Sequence, residues 1–254
     1  MQLIGLIAAM NQESDALLRC VKGAQRIRVG PFRGYTFDLY GQTCVLVISG
    51  MGMRRAGEAA RRLVELKEPR LLISFGIAGA VETDLAIGDV VAAGSVCLLV
   101  GGLPDLFQPL AAWPEASTRA MISALAGRDA QLFEGTAVTT AGSQLVQGQR
   151  VEMAHPVLEM ETAGIAQVAA ENDLPLLSIR AISDGPSAPI PINLDEMMDK
   201  DANLKVGKLL KTVIRHPGIL IQSRQLMLNT QQAADNAALA LVAALGGMAS
   251  SGVN

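Results

Sequence analysis

Apolar residues in this chain fall into short unbroken runs separated by polar, periodic stretches. Leu3–Ala9, Arg70–Phe75 and Leu174–Ile182 are such runs. A strand covered on both faces reads as a continuous apolar run, whereas a half-exposed strand alternates. These three are therefore expected to be buried strands, with Gln131–Thr139 and much of Ala86–Val100 as further strands. Arg26–Val29, Gly34–Tyr40 and Thr43–Ile48 add an antiparallel-looking group that turns at Gly41-Gln42. Helical spacing runs from Asn11, a good N-cap, to about Val21, from Arg54 to Leu66, and from Glu115 to Ala126. Residues 101–113, with Pro104 and Pro109, read as loop, and so does Ala141–Gly148, ahead of a short helix to His155. In L-E-M-E-T-A, Glu159 and Glu161 open a predicted helix. From Asn193 on, helices are expected, broken at His216-Pro217-Gly218, with a frayed tail after Gly246. Alternating strands and helices predict an α/β fold: a single domain with a mixed, partly closed β-sheet flanked by helices. Its expected extent is residues 1–246, with 194–246 a C-terminal helical extension and 247–254 the frayed tail.

Composition narrows the partners. Half of the 254 residues are hydrophobic, enough for one large core. Aromatics are 3% and net charge is −3, which argues against nucleic acid. Cys20, Cys44 and Cys97 match no zinc spacing, and two histidines cannot complete a cage, so no metal is expected. They read as core-filling thiols in a reducing compartment. The start, M-Q-L-I-G-L-I-A-A-M-N-Q-E, reads as a first strand rather than a signal peptide. No apolar run approaches the roughly 20 residues that span a bilayer.

Candidate chemistry gathers where strands end, since side chains there line the crevice of an α/β sheet. Glu13 follows the first strand; alone, it reads equally as a first-turn acid favouring the helix dipole. Gly50-Met51-Gly52 and Gly76-Ile77-Ala78-Gly79 could present backbone N–H groups to a ligand or simply make tight turns, and neither is a complete nucleotide fingerprint. Glu159, Met160 and Glu161 could clamp a diol, the carboxylates accepting from hydroxyls and the thioether packing on a sugar, or form a solvated helix start. Asp184 is a general acid if buried, or an Asx turn before Gly185-Pro186.

In order, I-G-L-I-A-A-M-N-Q-E, I-S-G-M-G, S-F-G-I-A-G-A, L-A-I-G-D-V-V, L-E-M-E-T-A and R-A-I-S-D resemble the nucleoside phosphorylase/nucleosidase superfamily, which includes the methylthioadenosine/S-adenosylhomocysteine nucleosidases. They cover most of residues 4–186. The resemblance implies a nucleoside phosphorylase-like fold and an enzyme that releases a purine. It implies Glu13 as the base that activates water, Asp184 as the acid that protonates purine N7, and Ser183 beside it. Met160 and Glu161 are the implied ribose contacts, Glu159 a supporting acid, and Ile77 and Gly79 part of the nucleophile loop. The arginine and the serine or threonine with which phosphorolytic members hold phosphate correspond to Ser74 and Ile77. Losing that guanidinium favours water over phosphate as nucleophile. Ile77 also stands where the nucleosidases usually carry serine. The purine-binding backbone falls to Thr140–Ser143.

The C-terminal third carries Lys205, Lys208, Lys211 and Arg215 at helical spacing opposite Val206, Leu209, Leu210, Val213 and Ile214. Such a helix either packs on a core with a solvated basic face or rests on an anionic membrane. Its R-H-P-G-I-L and L-M-L-N-T-Q-Q-A-A-D-N-A resemble the hopanoid-associated members, implied to release adenine from adenosylhopane. The expectation is thus a cytoplasmic, cofactor-independent purine nucleosidase or phosphorylase acting on a small-molecule 5′-substituted adenosine. Methylthioadenosine/S-adenosylhomocysteine cleavage and a non-catalytic nucleoside-binding role are the alternatives. The resemblance further implies a homodimer, and residues 204–224 a peripheral contact at the inner membrane face.

Overall fold

The computed structural model describes residues 3–100, 103–140, 153–186 and 219–250, with side chains in the last segment from residue 224. Ten strands form one mixed sheet: β1 (Leu3–Ala8), β2 (Gln25–Val29), β3 (Phe32–Leu39), β4 (Gln42–Ile48), β5 (Leu71–Ala80), β6 (Val90–Val100), β7 (Leu103–Pro109), β8 (Leu132–Thr139), β9 (Pro156–Glu159) and β10 (Leu176–Asp184). The helices are α1 (Asn11–Cys20), α2 (Met53–Lys67), α3 (Glu115–Leu125), α4 (Thr162–Glu171) and α5 (Ile219–Ser250). The sheet is partly closed, as the apolar pattern implied. Strands β5, β10, β6, β8 and β9 pair in a ring, and β1, β4, β3 and β2 extend from β5 as an open wing.

One feature of the pairing creates the site. Along one edge β5 pairs with β10. Along the other it pairs with β1 only at Leu71–Ser74, and with β9 only at Gly79 and Ala80. Residues 75–78 lie in the split between β1 and β9. In α/β sheets such a change of neighbour opens a crevice at the strand ends.

Several elements differ from the sequence reading. Strand β5 runs through the glycine-rich G-I-A-G-A segment, because β10 continues to pair with it. Residues 103–109 are not loop but an edge strand folded back on β6, where Pro104 and Pro109 break no interior ladder. Glu159 ends strand β9, and the helix opens only at Thr162. Met153–His155 lead into β9 without a helix. Cys44 and Cys97 are buried, but Cys20 is exposed at the end of α1.

The C-terminal helix is a core element rather than an extension. Ala233, Ala237, Leu241 and Leu245 pack in the same cluster as β1, β5 and β10 residues. Buried Asn236 donates to Gly88 O at 2.8 Å, and Ser117 Oγ to Ala244 O at 2.8 Å. Arg224–Ser250 has the length and apolarity of a membrane span, against the expectation that no such run exists; 56% of its most apolar window is buried inside the molecule, as in a core helix. The helix continues through Ser250, with Met248 buried, so residues 247–250 are packed rather than frayed. The expected loop and helix at 141–152, the helices of 193–218, and the side chains of the basic segment up to residue 223 lie outside the described residues.

Ending the chain at Gly246 removes buried Met248 and the contact of Gly247 with α3. A loss of about 1–3 kcal/mol is expected, read as a lower urea midpoint; an unchanged midpoint would mean a frayed tail after all.

Candidate active site

Glu13 is the third residue of α1 and is 2% exposed. Its Oε2 accepts the N–H groups of Ala9 and Met10 at 2.9 and 2.8 Å, so it does reach back over the helix start as an N3 acid should. Its Oε1 accepts Ile77 N–H at 3.0 Å across the split in the sheet. The helix-start reading and the site reading are thus both true of one side chain. A carboxylate has about four acceptor positions, so about one remains for a ligand. A Cβ on Gly76 would lie 2.2 Å from Oε1, so only glycine there admits this carboxylate.

Glu161 precedes α4. Its Oε1 accepts Gly52 N–H at 2.9 Å, at the start of α2, and its Oε2 lies 3.4 Å from Met160 N. An anion at a helix N-terminus is favourable, and Gly52 meets it with a φ of 103° that other residues resist. Met160, half-buried, bridges Glu159 and Glu161.

Glu159 is not placed to bind a ligand. Its Oε2 accepts from Glu161 N at 3.0 Å, Thr162 N at 2.8 Å, Thr162 Oγ1 at 2.8 Å and Arg180 Nη2 at 2.7 Å, and its Oε1 accepts from Thr139 Oγ1. The expected substrate contact is therefore an internal one. Arg180, 1% exposed and without a role in the sequence reading, is the cation buried at this site among the described residues. Its Nη2 also donates to Ser74 Oγ at 2.6 Å. Its Nη1 points at Gly76, 2.7 Å from where a Cβ would lie, beside Glu13. The available signal was a lone charge inside an apolar strand, L-L-S-I-R-A-I, since a buried arginine needs a partner.

Asp184 ends β10 and lies over Gly79, whose absent Cβ would be 2.8 Å from Oδ2. Ser183 Oγ is 2.6 Å from Asp184 Oδ1 and 3.3 Å from Ala78 O. One hydroxyl proton cannot serve both acceptors. Both contacts are satisfied when Asp184 is protonated and donates to Ser183, which donates to Ala78. Ile77 contributes its backbone N–H. Of the expected purine backbone, Thr140 donates its N–H to Glu159 O at 2.9 Å, and 141–143 lie outside the described residues.

Burial shifts these acids in one direction. Desolvation raises Glu13 above its ordinary value, against the opposing pull of Arg180 and three backbone N–H groups. Desolvation also raises Asp184, against the Ser183 hydrogen bond. Glu161 is pushed up to about 7 by burial and by Glu159 and Glu13, with Arg180 and Gly52 N–H opposing. Glu13, Glu159 and Glu161 thus share one guanidinium, that of Arg180.

A family model described as "Phosphorylase superfamily" matches residues 3–215. The chain belongs to this superfamily. It is 29% identical over 231 residues to a 5′-methylthioadenosine/S-adenosylhomocysteine nucleosidase of Listeria monocytogenes, covering 83% of this chain and 99% of that one. It is 28% identical to the corresponding protein of Oceanobacillus iheyensis, covering 84% and 98%. The fold is similar to the same kind of nucleosidase from Colwellia psychrerythraea in complex with adenine (TM-score 0.70, 20% identity, 97% and 95% covered). It is also similar to futalosine hydrolase of Helicobacter pylori (TM-score 0.67, 15% identity, 96% and 97% covered). These two likenesses bear on the superfamily fold, with its mixed sheet and flanking helices.

Glu161 makes the stability of the fold depend on pH. Between its unfolded value of 4.5 and about 7 the folded state binds a proton that the unfolded chain does not. Its stabilising contribution is complete below the unfolded value and is lost as pH rises through about 7. Thermal melts from about pH 5 to 8 should lose on the order of 1–3 kcal/mol, and Glu161→Gln should flatten that slope. An equal slope in the variant would assign it to other groups.

Proposed function

We propose that this protein hydrolyses the N-glycosidic bond of a 5′-substituted adenosine and releases adenine. The observation that carries the reading is that two proton-hungry acids, buried Glu13 and half-buried Asp184, flank one crevice. Glu13 meets β5 at Ile77, and Asp184 meets it at Gly79. These points are about 7 Å apart along the strand, enough to reach opposite sides of one glycosidic bond. Asp184 donates its proton to purine N7, and the C1′–N9 electron pair leaves with the base. Water adds to the oxocarbenium-like C1′ while Glu13 takes its proton. Glu161 accepts from the ribose hydroxyls, with Met160 against the sugar. A non-catalytic nucleoside-binding protein would need neither acid in a raised state.

Charge supports water as the nucleophile. The phosphate-loop positions Ser74 and Ile77 carry no arginine. Arg180 does bring a guanidinium near Glu13, but Glu159 already neutralises it. A guanidinium already paired with a carboxylate is not free to hold a phosphate dianion, whereas water needs no such partner.

For the 5′ substituent, the tail resemblance supports adenosylhopane. An enzyme acting on so apolar a substrate would work in the cytoplasm at the inner membrane face. A second reading, methylthioadenosine/S-adenosylhomocysteine cleavage, is supported by the relatives that match over most of the chain. Release of the free base is measured from adenosylhopane, methylthioadenosine and S-adenosylhomocysteine (as adenine) and from inosine (as hypoxanthine), each with and without phosphate. Phosphate-independent release from adenosylhopane above all others is the expected result. Preference for methylthioadenosine selects the second reading, and a phosphate requirement overturns hydrolysis. Asp184→Asn and Glu13→Gln should each lower kcat by about 100-fold or more with the fold intact; wild-type turnover in either would remove its assigned role.

The homodimer is also proposed. Val100, Leu103, Leu106 and Phe107 are exposed together on the β6–β7 hairpin, with Phe107 at 59%. Exposed apolar residues grouped on one hairpin support a contact with a second copy of the chain there. Light scattering should give a dimer for the wild type and a monomer for Phe107→Asp; a wild-type monomer, or an unaffected dimer, would refute the hairpin interface.

A further inference from the structure

Glu159 is the most heavily hydrogen-bonded carboxylate among the described residues, yet no ligand can use it. Each of its bonds ends on a group that defines the site: Glu161 N–H, the first turn of α4, Thr139 on β8, and Arg180 on β10. Thr139 extends the connection, because its Oγ1 also accepts Ala163 N–H at 2.9 Å. Arg180 Nη2 is held on three sides, by Glu159, Ser74 and Thr162. Its Nη1 makes no hydrogen bond to another described residue and projects toward Glu13 over Gly76.

We propose that Glu159 is a positioning residue for the cleavage. It anchors Arg180 so that the outer nitrogen stays beside Glu13 and fixes where the attacking water sits, and it ties the Glu161 backbone to the same point. This rests on the hydrolytic reading above. A guanidinium without Glu159 has two other anions within reach, Glu13 and Glu161, and collapses onto them. Glu13 would then hold a cation where it must hold water. A mispositioning of about 1 Å costs roughly 100-fold in such steps.

The groups facing Arg180 are Glu13 from α1, Glu159 from β9, Glu161 ahead of α4, and the hydroxyls of Ser74 and Thr162. Two variants separate positioning from simple bolting. Glu159→Gln deletes the charge. Thr139→Val keeps the charge and loosens one oxygen.

Glu159→Gln should lower kcat by about 10–100-fold with KM nearly unchanged, and move the acid limb of the kcat–pH profile to lower pH. The direction follows because a negative neighbour is lost and Arg180 turns to the remaining carboxylates. Thr139→Val should lower kcat by about 3–10-fold without moving that limb. Folded variants with wild-type kcat and only a lower Tm would overturn the proposal and leave Glu159 a structural bolt. If Glu159→Gln does not fold, Thr139→Val decides by the same criterion. A wild type that releases no adenine from any nucleoside overturns the hydrolytic reading instead. In that case the ligand-free melts still test the charge coupling, since the stability loss from pH 5 to 8 should shrink in Glu159→Gln, and an unchanged loss would overturn it.

Discussion

The buried pair of Arg180 and Glu159 is the constraint on which the rest of the site depends. At 2.7 Å and shielded from water, it joins β10 to the end of β9. A buried ion pair of this kind contributes little net stability, because desolvation offsets the attraction, but breaking it leaves an uncompensated charge. Its consequence here is geometric. Ser74 on β5, Thr139 on β8 and Thr162 on α4 are all bonded to one of its two partners. Four strands and a helix therefore meet around a single charge pair, and Glu13 and Glu161 sit at its margins.

The split along β5 explains why this pair lies where it does. Strand β1 ends before β9 arrives, so residues 75–78 have a backbone neighbour on one side only. Side chains fill the vacated edge. Glu13 takes the Ile77 N–H that a strand would have taken, and Gly76 removes the side chain that would block it. Desolvation raises Glu13 at this edge, and raises Glu161 and half-buried Asp184 beyond it.

Much of this was legible along the chain. Continuous apolar runs mark β1 and β10, because strands covered on both faces need no alternation. Glu13 and Asp184 were picked out by their positions just after or at the end of a strand. Other features were not legible, for identifiable reasons. The glycines of β5 look like a turn until β10 is seen to pair with them. Leu103–Pro109 contains two prolines that only an edge position tolerates. Glu159 and Glu161 are two residues apart and chemically identical, but one faces Arg180 and the other faces Gly52.

By itself the sequence determined the class of fold, the membership of the superfamily and which acids stand at strand ends. Those depend on local hydrophobic pattern and on the order of short motifs. The tertiary structure alone decided the partners of those acids: that Arg180 is the cation of the site, that Glu159 is turned inward, and that the last helix is core. Each of these depends on contacts between residues far apart in the chain, and a buried charge has no local signature beyond its need for a partner that the fold must supply.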